Sequence, residues 1–302
     1  MSLTFPVCYK NKKRGCIMIL CTDIKQLQRL SATARQAGKS VALVPTMGAL
    51  HEGHVSLIHA AHTENDLTIV SVFVNPTQFG PHEDYEKYPR NLAKDCKTAE
   101  AAGADIVFAP PADKLYPHKD PVWVEVTGSI SKVLCGRARP IHFRGVATII
   151  TKLFHIAAPD NAYFGQKDAQ QTEVLKRMVD DLFFPVRLHI MPIIREADGL
   201  AKSSRNIYLN PAERKAAPVL YKSLKQAQKL FLQGEKNSDV ISTAVRSMIA
   251  AEPLSTIDYV EMYTLPGLIT VGKILDKRTL LAVAVKFGAT RLIDNTILEV
   301  DA

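Results

Sequence analysis

The stretch Val41-Ala42-Leu43-Val44-Pro45-Thr46-Met47-Gly48-Ala49-Leu50-His51-Glu52-Gly53-His54 constrains this chain more than any other. An apolar run rich in β-branched residues breaks at Pro45, passes Gly48, and gives way to a different pattern. There Val55, Leu57, Ile58, Ala61 and His62 fall along one helical face. Strand, tight turn and helix make the first βα unit of an open α/β sheet, and such sheets bind ligands beyond the carboxyl ends of their strands. His51 and His54 are three apart at the helix start, so they project from the same side of its first turn. Unpaired backbone N–H groups and the helix dipole already favour an anion there. Two readings stay open at this point: a phosphate site built on two imidazoles, or a sharp turn carrying two exposed histidines.

The rest of the chain repeats the alternation. Residues 66–75 contain Leu67, Ile69, Val70, Val72, Phe73 and Val74, the nearly continuous apolar run of a central parallel strand covered on both faces. Further strands are predicted over 17–20, 40–45, 104–108, 122–126, 163–164 and 186–190. Helices are predicted from a cap at Asp23 to Gln36, with Gly38 as terminator, and over 91–102, 145–157 and 168–182. This order implies βαβ units and a mostly parallel sheet. After Pro192 the pattern changes to helices over 211–232 and 237–251, then strands over 257–264 and 279–285 joined through Pro266-Gly267. The expected organisation is a flexible extension over 1–16, an α/β domain over 17–193 and a smaller α+β domain over 194–302.

A chain of 302 residues buries a substantial core, and no apolar run approaches a membrane span. Of the net charge of +8, Lys10, Lys12, Lys13 and Arg14 contribute four, with no acid before Asp23. The remainder shows no basic block or aromatic-interleaved stripe, so nucleic acid is not the expected partner, and a small polyanion suits the charge as well. Cys8, Cys16, Cys21, Cys96 and Cys135 are odd in number and show no C-x-x-C spacing. Without a convincing secretory signal, reduced thiols in a cytosol are the simplest account.

Further constellations carry possible chemistry. Gln78, in Asn75-Pro76-Thr77-Gln78-Phe79-Gly80, places a neutral amide on a strand-end turn. It suits a hydroxyl beside a carboxylate without neutralising a nucleophile. In Phe164-Gly165-Gln166-Lys167-Asp168-Ala169-Gln170-Gln171, Asp168 and Gln171 have the spacing of a capping box, while Lys167 adds a cation to a helix start. Asp198-Gly199-Leu200-Ala201-Lys202-Ser203-Ser204-Arg205-Asn206 reads as a phosphate-wrapping loop or as a Ser-rich linker. In Arg139-Pro140-Ile141-His142-Phe143-Arg144-Gly145, helix-start packing accounts for Phe143 and Gly145, while the residues alone do not disclose a role for the segment.

His51-x-Gly53-His54 after a strand resembles the signature of the adenylyl-transferring Rossmann superfamily. The longer string Pro45 to His54, with the four segments above in their order, resembles the pantothenate synthetase (pantoate–β-alanine ligase) family from about residue 17 to the end. That resemblance implies a Rossmann-like, mostly parallel α/β domain with a smaller C-terminal α+β lid domain. It implies ATP-dependent condensation of pantoate with β-alanine through a pantoyl adenylate, Mg²⁺ accompanying ATP, a cytoplasmic setting and a homodimer. His51, His54, Lys167 and Arg205 are the implied catalytic residues. Pro45, Thr46, Met47, Gly48, Gly53, Gly165, Gln166, Asp168, Ile194, Lys202, Ser203 and Ser204 would join them around ATP. Gln78, Gln171 and Met47 would hold pantoate. Two positions depart from the family's pattern: Gln166 stands where Glu is expected, and Lys202 where an apolar residue is common. The rival readings are a nucleotidyltransferase acting on a phosphorylated acceptor and a non-catalytic nucleic-acid binder.

Overall fold

In the computed structural model, which describes residues 7–10, 17–81 and 83–299, strands β1 (Val7–Lys10), β2 (Ile17–Cys21), β3 (Val41–Thr46), β4 (Leu67–Val72), β5 (Ile106–Phe108), β6 (Asn161–Gly165) and β7 (Arg187–Met191) form one sheet. Strands β8 (Ser255–Thr264), β9 (Ile269–Thr270), β10 (Thr279–Phe287) and β11 (Thr290–Leu298) form a second. The helices are α1 (Ile24–Gln36), α2 (Glu52–Glu64), α3 (Leu92–Ala102), α4 (Ala112–Leu115), α5 (Leu134–Ala138), α6 (His142–Ala157), α7 (Ala169–Asp181), α8 (Pro211–Ala216), α9 (Val219–Leu232) and α10 (Ser238–Ala250).

The first sheet runs β1-β2-β5-β4-β3-β6-β7, with β1 antiparallel and the others parallel. From β3 onward the chain builds outward through β4 and β5, then returns to lay β6 and β7 on the other side of β3. The order therefore reverses between β3 and β6, and a crevice beyond their carboxyl ends is the expected ligand position. β3 explains the apolar continuity of its sequence. Val41 and Leu43 enter one core with Leu27, Leu153 and Phe154, while Ala42 and Val44 enter another with Leu57, Ile58 and Ala61. A strand covered on both faces cannot alternate polar with apolar.

Contacts divide the chain into two units. The first comprises 1–126, 139–165 and 175–191, and the second 127–138, 166–174 and 192–302. A single boundary near 193 thus misassigns two earlier segments. Gln170 shows why they group together: its Oε1 accepts from the Cys135 N–H at 2.9 Å, and its Nε2 donates to the carbonyls of Ile130 and Val133. In the second unit α9 and α10 cover an antiparallel sheet ordered β11-β10-β8-β9, around Leu220, Leu224, Phe231, Val245 and Val283.

Four local expectations need correction. Val7–Lys10 pairs with β2 as an edge strand, so the extension is structured there, whereas 1–6 and 11–16 lie outside the described residues. Residues 122–126 form no strand, because the Val124 N–H donates to Thr148 Oγ1 of α6 instead of to a ladder. The helix predicted over 211–232 is broken into α8 and α9 at Pro218, which has no N–H to continue it. Finally, β11 has no counterpart among the expected strands. Its Asp294, Asn295 and Thr296 look like turn residues, yet all three are buried. Among the described residues no helix is long and apolar enough to cross a membrane.

Candidate active site

In the first unit the site begins where β3 ends. β3 continues one residue past Pro45, because the Thr46 N–H finds Ser71 Oγ at 3.3 Å. Thr46 Oγ1 donates to the Ser71 carbonyl at 2.6 Å and accepts from the Gly48 N–H at 3.1 Å, which folds the chain sharply upward. Gly48 adopts φ +80°, and a β-carbon there would lie 2.8 Å from Asp95 Oδ2. No larger residue fits this turn without displacing a buried carboxylate. Asp95, on α3, accepts from the N–H groups of Ala49 at 3.1 Å and Leu50 at 2.8 Å. It is only 2 % exposed.

This turn delivers His51 to the N-cap of α2. Its Nδ1 accepts from the Gly53 N–H at 3.1 Å, and His54 Nδ1 accepts from the His51 N–H at 3.3 Å. Two imidazoles therefore form a reciprocal capping box, their ring centroids 4.1 Å apart. With Nδ1 accepting in both rings, the ring proton of each is placed on Nε2 by its partners. The pair is thus a pair of oriented N–H donors at a helix N-terminus, neither of them an idle surface histidine.

Gln78 is brought to the same end of the unit. Its Nε2 donates to Met47 Sδ at 3.1 Å, and its Oε1 accepts from Asn75 Nδ2 at 3.1 Å. Asn75 is itself saturated, with Nδ2 donating to the Gly145 carbonyl and Oδ1 accepting from Thr77 and Tyr116 hydroxyls. The backbone carbonyl of Gln78 accepts from Arg139 Nη2 at 3.3 Å and meets His142 Nδ1 at 3.0 Å. Arg139 is held in turn by a two-point ion pair with Glu83. Burial pushes the Glu83 carboxyl up, but the hydrogen bond and charge of Arg139 outweigh it, so Glu83 titrates below its ordinary value. At Gly145 a β-carbon would sit 2.5 Å from the Thr77 carbonyl oxygen and 2.7 Å from Gln78 Cα. The whole 139–145 motif therefore buttresses the Gln78 turn, a role its sequence does not disclose.

In the second unit Gln166, Lys167 and Asp168 form a single 3₁₀ turn running straight into α7. Asp168 consequently lies inside the first helical turn and makes no capping box with the half-buried Gln171. Its carboxylate stands 3.7 Å from Lys167 Nζ instead. Asn295 Nδ2 donates to the carbonyls of Gln166 and Lys167, both at 3.0 Å, and its Oδ1 accepts from Gln166 Nε2 at 3.3 Å. Gly165, at the end of β6 in the first unit, has open space where a β-carbon would be.

The segment 194–205 is a hairpin followed by a turn. Arg195 bridges Ala201, and the Lys202 N–H donates to the Ile194 carbonyl at 2.9 Å. Ser203 caps the turn Ser204–Tyr208 by accepting from the Arg205 N–H at 3.3 Å. Lys202 adds little unbalanced charge here, since its Nζ lies 2.7 Å from Glu196 Oε2. Arg195 pairs two-point with Asp294 at 2.6 and 3.0 Å and stacks 4.1 Å over the Tyr221 ring. Burial pushes the Asp294 carboxyl up, and Arg195 offsets this only in part. A polar cleft of about 250 Å³ lies beside this network, lined by Gln166, Arg195, Lys225 and Gln228 among others.

Within the first unit, then, the residues Pro45–His54 and Gln78 come together, and within the second both Gln166–Asp168 and the 204–208 turn rest against β11. Sequence reasoning singled out the segment of Arg139 and His142 without finding its role, and it missed Asp95 and Asn295 as site-building residues. Only Asp95 had a usable signal, because 95, 96, 99 and 102 form the buried stripe of α3.

Comparison with known proteins places these features in a family. The profile of the family described as pantoate-beta-alanine ligase matches residues 19–297. A pantothenate synthetase of Acetivibrio thermocellus is 52% identical over 283 residues, covering 94% of this chain and all of the relative. One from Carboxydothermus hydrogenoformans is 50% identical, covering 93% of this chain and 99% of the relative. Among solved structures, pantothenate synthetase from Thermus thermophilus superposes with TM-score 0.87 at 39% identity, covering 93% of this chain and 99% of that one. Pantoate-beta-alanine ligase from Francisella tularensis, complexed with beta-gamma ATP and beta-alanine, superposes with TM-score 0.76 at 32% identity, covering 94% and 99%.

Proposed function

The chain belongs to the pantoate–β-alanine ligase family and condenses pantoate with β-alanine at the expense of ATP, and we propose that His51, His54, Lys167 and Arg205 carry the chemistry. The observation that supports this most is the histidine capping box, which sets two Nε2–H donors at a helix N-terminus just beyond the end of β3, where the sheet order reverses. In the first step a pantoate carboxylate oxygen bonds to the α-phosphorus of ATP while the bond to pyrophosphate breaks. The imidazoles would stabilise the charge that grows on the phosphate oxygens. In the second, the β-alanine amine bonds to the acyl carbon, AMP leaves with the carboxyl oxygen, and the amine proton passes to solvent.

Lys167, on its 3₁₀ turn, and Arg205, with Ser203 and Ser204, would take phosphate oxygens. Pro45, Thr46, Met47, Gly48, Gly53, Gly165, Gln166, Asp168, Ile194 and Lys202 complete the proposed nucleotide contacts, with Asp168 toward the ribose. Gln78 and Gln171 would hold pantoate, with Met47 as an apolar wall. A thioether is a weak acceptor, so the Gln78 N–H that Met47 now receives is readily given to a substrate oxygen. Gln78→Ala is expected to weaken pantoate binding while leaving ATP binding nearly intact. Calorimetric titration with each ligand separates the two, and an equal loss of ATP affinity would reassign the amide.

Mg²⁺ would supply charge neutralisation on the triphosphate. Among the described residues no group of three or more His, Cys, Asp or Glu is placed to hold a metal. The metal would then be held mainly by the nucleotide's own oxygens. Homodimeric assembly and a cytoplasmic setting complete the proposal. Cys21, Cys96 and Cys135 are buried and free, which suits a reducing compartment.

The reaction class is tested by isotope exchange. With ATP, Mg²⁺ and pantoate but no β-alanine, labelled pyrophosphate should enter ATP, because adenylate formation is complete and reversible before the amine is required. A nucleotidyltransferase for a phosphorylated acceptor gives no pantoate-dependent exchange. Exchange that waits for β-alanine would rule out a separate adenylate step.

A further inference from the structure

We propose that Asn295, on β11, is a positioning residue for Lys167. The inference rests on the reading of Lys167 as a phosphate ligand and adds the group that sets its place. A lysine is a point charge on a flexible stem, so its usefulness depends on how firmly its backbone is held. The Lys167 backbone belongs to a single 3₁₀ turn, a short element with poor hydrogen-bond geometry of its own. What fixes it is one amide from a strand well over a hundred residues later. Asn295 Nδ2 donates both of its protons, one to the Gln166 carbonyl and one to the Lys167 carbonyl, each at 3.0 Å.

The orientation of that amide is determined from both sides. Gln166 Nε2 donates to Asn295 Oδ1 at 3.3 Å, which turns the NH₂ group toward the two carbonyls. The Asn295 N–H donates to Asp294 Oδ1 at 2.8 Å, and Asp294 is clamped by the two-point pair with Arg195, stacked on Tyr221. Asn295 is 3 % exposed, so its bonds compete with no solvent. The arrangement also gives Gln166 a role that a glutamate could not fill. A carboxylate at 166 would face Asn295 Oδ1 with no proton to give, and the amide would turn to donate to it. The Lys167 turn would then lose its tether.

The test is a double-mutant cycle with Asn295→Ala and Lys167→Ala, read by steady-state kinetics, pantoate-dependent pyrophosphate exchange and thermal midpoint. Asn295→Ala is expected to raise KM for ATP and slow exchange by about tenfold, the scale of losing two hydrogen bonds. KM for β-alanine should stay at the parent value. In the Lys167→Ala background the same change should cost no more than about twofold, because its target is gone. Unchanged KM for ATP in Asn295→Ala, with Lys167→Ala impaired, overturns the positioning role alone. So do losses that multiply in the double variant, which would mark a general structural role. Lys167→Ala with parent kinetics overturns the phosphate reading beneath it. If Asn295→Ala does not fold, Asn295→Asp keeps the side chain's size and its acceptor for Gln166 while removing both donors, and the same outcomes apply.

Discussion

His54→Ala is expected to lower kcat by about 100- to 1,000-fold, the usual cost of one donor aimed at transition-state charge. KM for pantoate should move little, because the imidazole faces charge that is small in the ground state. His51→Ala should behave alike, with a further loss of about 1 kcal/mol in stability, since its Nδ1 also caps α2. Capping and catalysis are separable at this position. Asparagine is among the best N-caps, but its short side chain has nothing where the imidazole carries Nε2–H. His51→Asn should therefore keep the thermal midpoint and lose the rate. Parent kcat in that variant would leave the pair as a capping device only.

The turn around these histidines also shows what a sequence discloses and what it hides. Strand, Pro45, Gly48 and the helical stripe were legible because each expresses a local rule: β-branching for a strand, glycine for φ +80°, apolar spacing for a buried helix face. The parallel sheet was legible for the same reason, since a strand such as β4 covered on both faces reads as an apolar run. The supports were not legible. Asp95 and Ala49 are 46 positions apart, Arg139 and Gln78 are 61 apart, and Asn295 and Gln166 are 129 apart. Their side chains are polar because they satisfy another segment's backbone, so alone they resemble surface residues. β11 was hidden by the same effect, its polar residues being buried against partners that no local pattern names.

Asp95→Ala is expected to damage both stability and rate, and by more than any other change outside the reacting groups. The carboxylate accepts from two buried N–H groups, those of Ala49 and Leu50. Each donor left without a partner costs about 1–3 kcal/mol, so the variant should lose roughly 2–6 kcal/mol and show a clearly lower thermal midpoint. Ala49 sits at φ +50°, a conformation a non-glycine residue holds only at a cost of about 1–2 kcal/mol. Removing Asp95 takes away two of the hydrogen bonds that offset that cost, and the turn should relax toward negative φ, carrying His51 away from the cap. The loss of pyrophosphate exchange should therefore persist at temperatures where the variant is folded. Adding Ala49→Gly removes the conformational cost and should recover part of the midpoint. Exchange should stay low, because the two N–H groups remain untethered. An Asp95→Ala protein with parent midpoint and parent exchange would show that the turn holds its shape unaided, and that the histidines owe their placement to the α2 cap alone.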